Sequence, residues 1–306
     1  MLPKPADPAA AAYWDLTVTL GTDAAETAEA VTNRLWELGA VGVVEEVTPG
    51  AAALRAFFPP GTDAASLAED LRHYLGDLAA LALPSAEGSV RVAPLPDEPW
   101  ADAWRTHFRP VPVGRGLLVC PPWEVPPPAL AQGRMVVLIE PGRAFGTGGH
   151  GSTRSCLELL ERALAGGGVS HVLDVGCGSG ILAIAAAALG VLRVDAIDLD
   201  PDAVAATEDN ARRNAVADRV RASVAGVDGW AGPAAPLVLA NLLAAAHVTL
   251  APTLVALVAP GGSLIAGGLL AHEVPAVAGV FSAEGCWLVE LAEDDGWAAL
   301  LLRRGG

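Results

Sequence analysis

The stretch from His171 to Ala188, HVLDVGCGSGILAIAAAA, constrains the fold of this chain more than any other segment. Its first residues are apolar enough for a short buried strand, and the alanine-rich run after Gly180 is typical of a buried helix. Residues 176–180 lie between them and carry almost no side chains. In this arrangement a ligand can approach backbone N–H groups at a helix N-terminus, where the dipole favours negative charge. The stretch therefore predicts a nucleotide-type cofactor site.

The chain beyond this stretch predicts an α/β fold. Strands alternate with helices as far as the end of the chain, where two strands adjoin as a hairpin. This pattern is typical of a doubly wound, mostly parallel sheet of seven strands in which the last strand is antiparallel. The predicted strands after the glycine turn are 193–198, 219–224, 237–241, 263–267, 287–292 and 297–302, and the predicted helices are 201–214, 243–258 and 272–284.

The N-terminal part predicts a separate, smaller α+β domain. Its order is β-α-β-β-α-β, which is that of a ferredoxin-like sandwich. The proline-rich segment PLPDEP then marks a break. We therefore predict a first domain at 1–94, a linker with a short helix at 95–114 and a second domain at 115–306. The predicted elements of the first domain are strands at 13–20, 41–47, 52–58 and 88–93 and helices at 23–38 and 63–75.

Charge limits the classes of partner. The chain has 19 Lys and Arg against 35 Asp and Glu, a formal net charge of −16. Tight binding to a nucleic-acid backbone requires clustered cations, so direct nucleic-acid binding is not expected. Half of the excess charge, −8, lies on residues 1–95. A solvated acidic surface is the simpler interpretation of this bias, and a docking surface for a basic partner is the alternative.

Cysteine usage and hydropathy indicate the compartment. The four cysteines are scattered and the histidines lack metal-ligand spacing, so neither disulfides nor a metal site is expected. The N-terminus lacks the apolar core of a signal peptide, and the apolar stretches are interrupted before they reach membrane-spanning length. We expect a soluble cytoplasmic protein without membrane contact. The sequence does not determine the oligomeric state, and we expect a monomer.

The spacing of the glycines distinguishes two kinds of cofactor. A dinucleotide site requires G-x-G-x-x-G, and Ile181 occupies the position of its third glycine. Instead, Gly176, Gly178 and Gly180 form G-x-G-x-G, and Asp198 follows about 20 residues on, which suits a carboxylate that accepts ribose hydroxyls. Together with Asn241 at the end of the fourth strand, the pattern resembles class I methyltransferases, which use S-adenosylmethionine. The resemblance implies that the glycine turn passes beneath this cofactor.

Asn241 begins A-N-L-L at the carboxyl end of its strand, where ligands bind in open α/β sheets. Its side-chain carbonyl and the next backbone carbonyl are neutral acceptors that could orient an amine for methyl transfer. We therefore interpret Asn241 as the catalytic residue. The alternative is an asparagine that caps the next helix.

The loop AFGTGGHGSTR, residues 144–154, collects small and hydroxyl-bearing residues before a helix. Such a loop can fold over a bound cofactor and exclude water, with Phe145 as an apolar plug. No carboxylate pattern accompanies His150, so we interpret it as a hydrogen-bonding element of the loop rather than as a general base.

The same loop, with DVGCGSGILAIAA, AIDLDP and VLANLLAAAHVTLAP, resembles one family in particular, the ribosomal protein L11 methyltransferases. The W-D-L, ELGAVGVVEE and DEPWADAWRTHFRP segments are similar to its substrate-recognition domain and linker. The resemblance implies cofactor contacts by Thr153, Gly176, Gly178, Asp198 and Asn241. It also implies a loop over the methionine moiety, made of Phe145, Gly146, Thr147, Gly148 and His150.

The resemblance implies a function. The expected reaction moves methyl groups from S-adenosylmethionine to lysine and N-terminal amines of ribosomal protein L11, a basic partner, and releases S-adenosylhomocysteine. The chain departs from the family at Gly149 and in the run Gly151, Ser152, Thr153, where the family has Pro-Thr-Thr, so a more flexible lid is expected. The alternatives are another protein lysine or a small amine as substrate, a non-catalytic cofactor-binding module, and a dinucleotide oxidoreductase.

Overall fold

The computed structural model describes residues 13–21, 24–40, 42–48, 51–59, 61–80, 83, 88–95, 108–141 and 148–306. The chain forms two compact units, Met1–His107 and Phe108–Gly306. The boundary between them falls inside the predicted linker, whose residues 96–107, including the predicted helix, lie outside the described residues.

The first unit has the predicted element order. Its sheet runs β2-β3-β1-β4, and each neighbouring pair is antiparallel. The first strand spans the predicted residues and buries Leu16, Val18 and Leu20 on one face, as its alternating pattern indicates. The described strands are β1 (Tyr13–Leu20), β2 (Gly42–Thr48), β3 (Ala51–Phe58) and β4 (Ser89–Leu95), and the helices are α1 (Ala25–Glu37) and α2 (Ala64–Ala80).

The second unit begins with a small three-stranded sheet of order β5-β6-β7. Its strands are β5 (Val111–Val113), β6 (Leu117–Cys120) and β7 (Met135–Leu138), with the short helix α3 (Pro128–Ala131) before the last strand. The predicted strands at 115–120 and 134–140 correspond to β6 and β7.

The rest of the described part of the second unit is built around a seven-stranded sheet. Its order is β10-β9-β8-β11-β12-β14-β13, and β14 is antiparallel to both of its neighbours. The predicted α/β class with an antiparallel last strand is confirmed. The strands are β8 (His171–Val175), β9 (Arg193–Asp198), β10 (Val220–Val224), β11 (Ala235–Asn241), β12 (Val258–Leu270), β13 (Cys286–Asp294) and β14 (Trp297–Arg304).

Helices cover both faces of this sheet. Val172 and Leu239 pack in one core with the helices at 151–164 and 181–188. Their neighbours Leu173 and Val238 pack in a second core with the helices at 244–257 and 274–283. Successive side chains of a strand point to opposite faces, so strands buried on both faces read as continuous apolar runs. The helices are α4 (Gly151–Leu164), α5 (Ile181–Ala188), α6 (Pro201–Arg213), α7 (Ala244–Leu257) and α8 (Val274–Ala283).

Strand β12 differs from its prediction, because it begins at Val258 and not at 263. Val258 pairs with Ala235 at the start of β11, and the next pair is Ser263 with Leu237, so the register shifts across Pro260, Gly261 and Gly262. The strand therefore begins earlier than predicted, and its irregular part falls where the sequence favours a break. Within the described ranges, no helix is both long and apolar enough to cross a membrane.

Candidate active site at the carboxyl ends of the central strands

The turn between β8 and α5 requires its glycines. Gly176, Gly178 and Gly180 have φ angles of 70°, 54° and 78°, a region that residues with a Cβ rarely adopt. A Cβ at Gly176 would lie 2.6 Å from Cδ2 of Leu242, and one at Gly180 would lie 2.7 Å from Cγ2 of Thr207. The turn therefore exposes backbone where a side chain would otherwise stand.

Asp198, the last residue of β9, is bound to this turn. Its Oδ2 accepts a hydrogen bond from the Gly178 backbone N–H at 2.9 Å, and its Oδ1 accepts one from the Asp200 N–H at 3.0 Å. The backbone N–H of Gly176 donates to the Ile197 carbonyl at 2.8 Å. An ionised carboxylate has about four lone-pair positions, so Asp198 keeps capacity for ligand hydroxyls.

Two side chains of α6 hold the turn from the other side. Thr207 donates its hydroxyl to the Gly178 carbonyl at 3.0 Å, and Asn210 donates its amide to the Ser179 carbonyl at 3.0 Å. Asn210 also accepts from the backbone N–H of Glu140 at 3.1 Å, just beyond β7. The sequence does not predict the role of this pair. Two polar residues three positions apart share one face of a predicted helix, which is a weak signal because exposed faces show it too.

Asp174 lies beneath the turn and is fully buried. Its Oδ2 accepts from the Ala183 N–H at 3.0 Å in the first turn of α5, while its Oδ1 has no partner among the described residues. Burial raises the pKa of this carboxyl to about 7; the bond from Ala183 opposes the rise and the charge of Asp198 adds to it. A buried polar atom without a partner is uncommon and points to a ligand or water.

Asn241 lies beside the turn because β11 pairs with β8, where Ala240 is opposite Val175. Its Oδ1 is buried and has no partner in the described part of the chain. The alternative interpretation, an asparagine that caps the next helix, is wrong: the N-cap of α7 is Leu243, with no side-chain capping bond. The amide oxygen of Asn241 is thus an available acceptor at the predicted crevice.

Thr153 contributes a third oxygen without a partner among the described residues. It lies in the first turn of α4, is buried, and its Oγ1 has no partner among the described residues. Cys156, one helical turn further on, reaches Gly267 of β12, where a Cβ would lie 2.1 Å from the cysteine Sγ and 3.2 Å from the Asn241 Oδ1. This face of α4 therefore packs beside the place where Asn241, at the end of β11, meets Gly267 of β12, which we call the Asn241 corner.

His150 is the N-cap residue of α4 and is fixed there by its neighbours. Its Nδ1 lies 2.8 Å from the Ser152 hydroxyl, and its ring lies against Trp297 with centroids 4.5 Å apart. Burial lowers its pKa to about 4, the charge of Arg154 lowers it further, and Asp295 opposes this. The imidazole is neutral near pH 7 and takes part in hydrogen bonding, in line with the predicted role.

The glycines of the loop are closely packed where the structure describes them. A Cβ at Gly151 would lie 2.5 Å from the Asp294 carbonyl oxygen, and one at Gly148 would lie 2.6 Å from Cγ1 of Val119 and 3.2 Å from Cδ1 of Ile181. The β13–β14 hairpin packs against Gly151, so a side chain at this position would have to displace it. Phe145, Gly146 and Thr147 lie outside the described residues.

Four of the predicted residues, Gly176, Gly178, Asp198 and Asn241, lie at or just after the carboxyl ends of β8, β9 and β11. Gly178 and Asp198 are hydrogen-bonded, and a Cβ at Gly176 would meet Leu242, the residue after Asn241. The fit to S-adenosylmethionine rests on a turn without side chains, a carboxylate with spare acceptors, and buried oxygens that lack partners. Within the described residues, no cluster of three or more His, Cys, Asp or Glu could hold a metal ion.

Comparison with known proteins decides the family. A family model described as ribosomal protein L11 methyltransferase matches residues 12–305. The chain belongs to this family. The predicted family and the predicted class of enzyme, an S-adenosylmethionine-dependent protein methyltransferase, are confirmed.

Individual relatives agree with this membership. A ribosomal protein L11 methyltransferase of Geobacter sulfurreducens is 39% identical over 277 residues, which cover 90% of this chain and 89% of the relative. One of Trichlorobacter lovleyi is 44% identical over 209 residues, covering 67% and 68%. The crystal structure of a ribosomal protein L11 methylase from Lactobacillus delbrueckii subsp. bulgaricus matches with a TM-score of 0.60 and 28% identity, over 65% of this chain and 100% of that one.

Proposed function

We propose that this family member transfers methyl groups from S-adenosylmethionine to ribosomal protein L11, at lysine side chains and at the N-terminal amine. The observation that carries the choice of an amine is the buried Oδ1 of Asn241, which has no partner among the described residues. A carbonyl oxygen accepts an N–H bond of the incoming amine and so directs the nitrogen lone pair toward the methyl group. Correct orientation supplies much of the rate of such a transfer.

Each predicted cofactor contact has a role in this proposal. Asp198 accepts the ribose hydroxyls, Gly176 and Gly178 provide the backbone surface beneath the cofactor, and the unpartnered hydroxyl of Thr153 donates to it. Phe145, Gly146 and Thr147 cover the methionine moiety. S-adenosylmethionine, when bound, supplies an electrophilic methyl group on a sulfonium, and S-adenosylhomocysteine leaves.

The amine must reach the site without its proton. A free lysine has a pKa of about 10.4, so desolvation in the crevice has to favour the neutral form. The buried imidazoles of His150 and His247 have pKa values lowered to about 4, mainly by burial, and neither can hold a proton near pH 7. We infer that the proton passes to water.

The acidic first unit suits a basic substrate. Residues 1–95 carry half of the net charge of the chain, and we propose that this surface attracts ribosomal protein L11. A cytoplasmic location, action as a monomer and the absence of direct nucleic-acid binding complete the proposal. The second candidate function is methylation of another protein lysine or of a small amine at the same site.

The test uses the full chain with labelled S-adenosylmethionine and purified ribosomal protein L11, followed by mass spectrometry of the product. We expect label on L11 at lysines and at the N-terminus. Labelled cofactor that binds while L11 stays unmodified would remove L11 as the substrate and leave the fold and the cofactor site intact. Deletion of residues 1–95 should abolish transfer to L11 but spare a small amine acceptor.

Two variants assign the roles. Asp198→Ala should weaken cofactor binding by about 1–3 kcal/mol, because buried partners lose an acceptor. Asn241→Ala should lower kcat more than it changes cofactor affinity. Calorimetry and initial rates measure both, and an unchanged kcat in Asn241→Ala would remove this residue from the acceptor site.

A further inference from the structure

His247 is a buried histidine in an otherwise apolar stretch of α7. It is 0% exposed, and its ring meets Phe281 edge-on with centroids 5.8 Å apart. Burial lowers its pKa to about 4, although the neighbouring backbone carbonyls of Gly267 and Leu242 raise it. A buried polar ring costs stability unless it forms a specific bond, so its contacts indicate its role.

The bond is made to the backbone of β12. Nε2 lies 2.8 Å from the Gly267 carbonyl oxygen. A carbonyl oxygen only accepts, so the neutral imidazole carries its hydrogen on Nε2. The same oxygen accepts the backbone N–H of Leu242 at 3.1 Å. One carbonyl thereby ties both ends of the β11–α7 connection to β12.

Asn241 lies at the centre of this arrangement. It is opposite Gly267 in the β11–β12 register, and its Oδ1 would lie 3.2 Å from a Cβ at Gly267. A Cβ at Gly268 would lie 2.4 Å from the Leu242 carbonyl oxygen, so β12 also approaches the chain closely just after Asn241. A shift of Gly267 would therefore move the surface against which the Asn241 amide rests.

We propose that His247 is a positioning residue for methyl transfer: through the Gly267 carbonyl it fixes the β11–α7 connection, and so the direction of the Asn241 amide oxygen toward the acceptor amine. The inference rests on the proposed function of Asn241. It assigns no contact between His247 and the substrate or the cofactor. Because misplacement of a reacting group by about 1 Å can cost roughly 100-fold in rate, a small displacement is enough to be measured.

Three variants of the full chain separate this role from general packing. His247→Leu fills the position with an apolar side chain of moderate size and removes the Nε2–H donor. His247→Gln carries an amide N–H that can reach the position of Nε2. Leu254→Ala, at a fully buried position of the same helix, is the control for damage to the core without loss of the bond to Gly267.

We expect His247→Leu to lower kcat by about 10- to 100-fold, with the affinity for S-adenosylmethionine within about twofold of wild type, and His247→Gln to restore most of kcat. Leu254→Ala should unfold at lower urea and keep its kcat per folded molecule. If His247→Leu does not fold, His247→Asn, whose shorter amide does not reach Gly267, replaces it. A kcat of His247→Leu, or of His247→Asn in its place, equal to that of Leu254→Ala would overturn the proposal.

A second measurement does not depend on catalysis. The side-chain amide resonance of Asn241, assigned by its loss in Asn241→Ala, reports the environment of the acceptor oxygen in the free protein. It should shift in His247→Leu, return in His247→Gln and stay unchanged in Leu254→Ala. An unchanged resonance in His247→Leu would overturn the proposal even if L11 proves not to be the substrate, whereas a shift without any methylation of L11 would contradict the proposed function alone.

Discussion

The glycine turn and the Asn241 corner lie side by side in one site, but their polar groups are satisfied in opposite ways. In the turn, the chain itself supplies the partners: Asp198, Thr207 and Asn210 bind successive backbone groups. In the other half, which contains the Asn241 corner, buried oxygens of Thr153, Asp174 and Asn241 have no partner among the described residues. One half of the site is satisfied by the chain itself, and the other half offers buried oxygens to a ligand or to water.

This difference separates two kinds of energetic cost. A substitution in the completed half leaves protein groups unsatisfied and lowers the free energy of unfolding before any ligand binds. The open half is the one whose buried oxygens lack partners among the described residues. A substitution there removes a group without a partner, so the free protein should lose little stability or gain some, and the complex with the cofactor should lose more. The following variants test this separation, in order of the expected change in stability.

Asp174→Asn should have the largest effect, and it should stabilise the protein. In the folded state burial raises the pKa of this carboxyl from 3.8 to about 7, so the folded state holds a proton that the unfolded state has released between these pH values. The stability that Asp174 contributes is therefore fully present at low pH and is lost as the pH rises from about 4 to about 7. The asparagine variant should lack this decline and gain a few kcal/mol at neutral pH, since one pKa unit corresponds to about 1.4 kcal/mol.

Urea unfolding of the free protein at several pH values between 4 and 8 measures this effect. Asp195→Asn is not a suitable control, because Asp195 accepts from both His171 and Arg193; Asp228→Asn, in an exposed 3₁₀ turn, is suitable. If the stability difference between Asp174→Asn and the wild type does not grow over this pH range beyond the change seen for Asp228→Asn, burial does not raise the pKa of the Asp174 carboxyl.

Asn210→Ala should destabilise the free protein by about 1–3 kcal/mol, because the Ser179 carbonyl and the Glu140 N–H both lose a buried partner. Chemical denaturation without cofactor measures the loss. Glu208→Ala, two positions earlier on an exposed part of α6, is the matched control and should change little. Stability equal to the control would mean that α6 does not hold the turn.

The sequence predicts the first half of the site far better than the second. The turn, Asp198 and the strand ends follow from local spacing, and β1 is predicted to the residue because its alternation is regular. Thr207 and Asn210 are not predicted, since their partners lie about 30 residues away and are brought near only by packing of α6 on the sheet. Their role is a product of the tertiary fold.

The open half depends still more on long-range contacts. The spacing identifies Asn241, but nothing local shows that its side-chain oxygen is buried without a partner among the described residues. The packing of Gly151 against Asp294 joins residues more than 140 positions apart, so no local pattern predicts it. The start of β12 at Val258 also depends on a distant partner, because Val258 pairs with Ala235 of β11 before the register shifts to Ser263 and Leu237.

Thr153→Val should have the smallest effect on the free protein and the clearest effect on the complex. Valine has nearly the shape of threonine and removes only the hydroxyl, whose oxygen has no partner among the described residues, so the free energy of unfolding should change by about 0–1 kcal/mol, with a gain as the expected sign. The cofactor-induced rise in Tm should shrink, because ligand stabilisation depends on affinity. Thr207→Val is the matched control: its hydroxyl is bonded in the free protein, so it should lose stability with and without cofactor. If Thr153→Val behaves like Thr207→Val, the hydroxyl of Thr153 already has a partner in the free protein. In that case the chain itself satisfies the polar groups of both halves of the site.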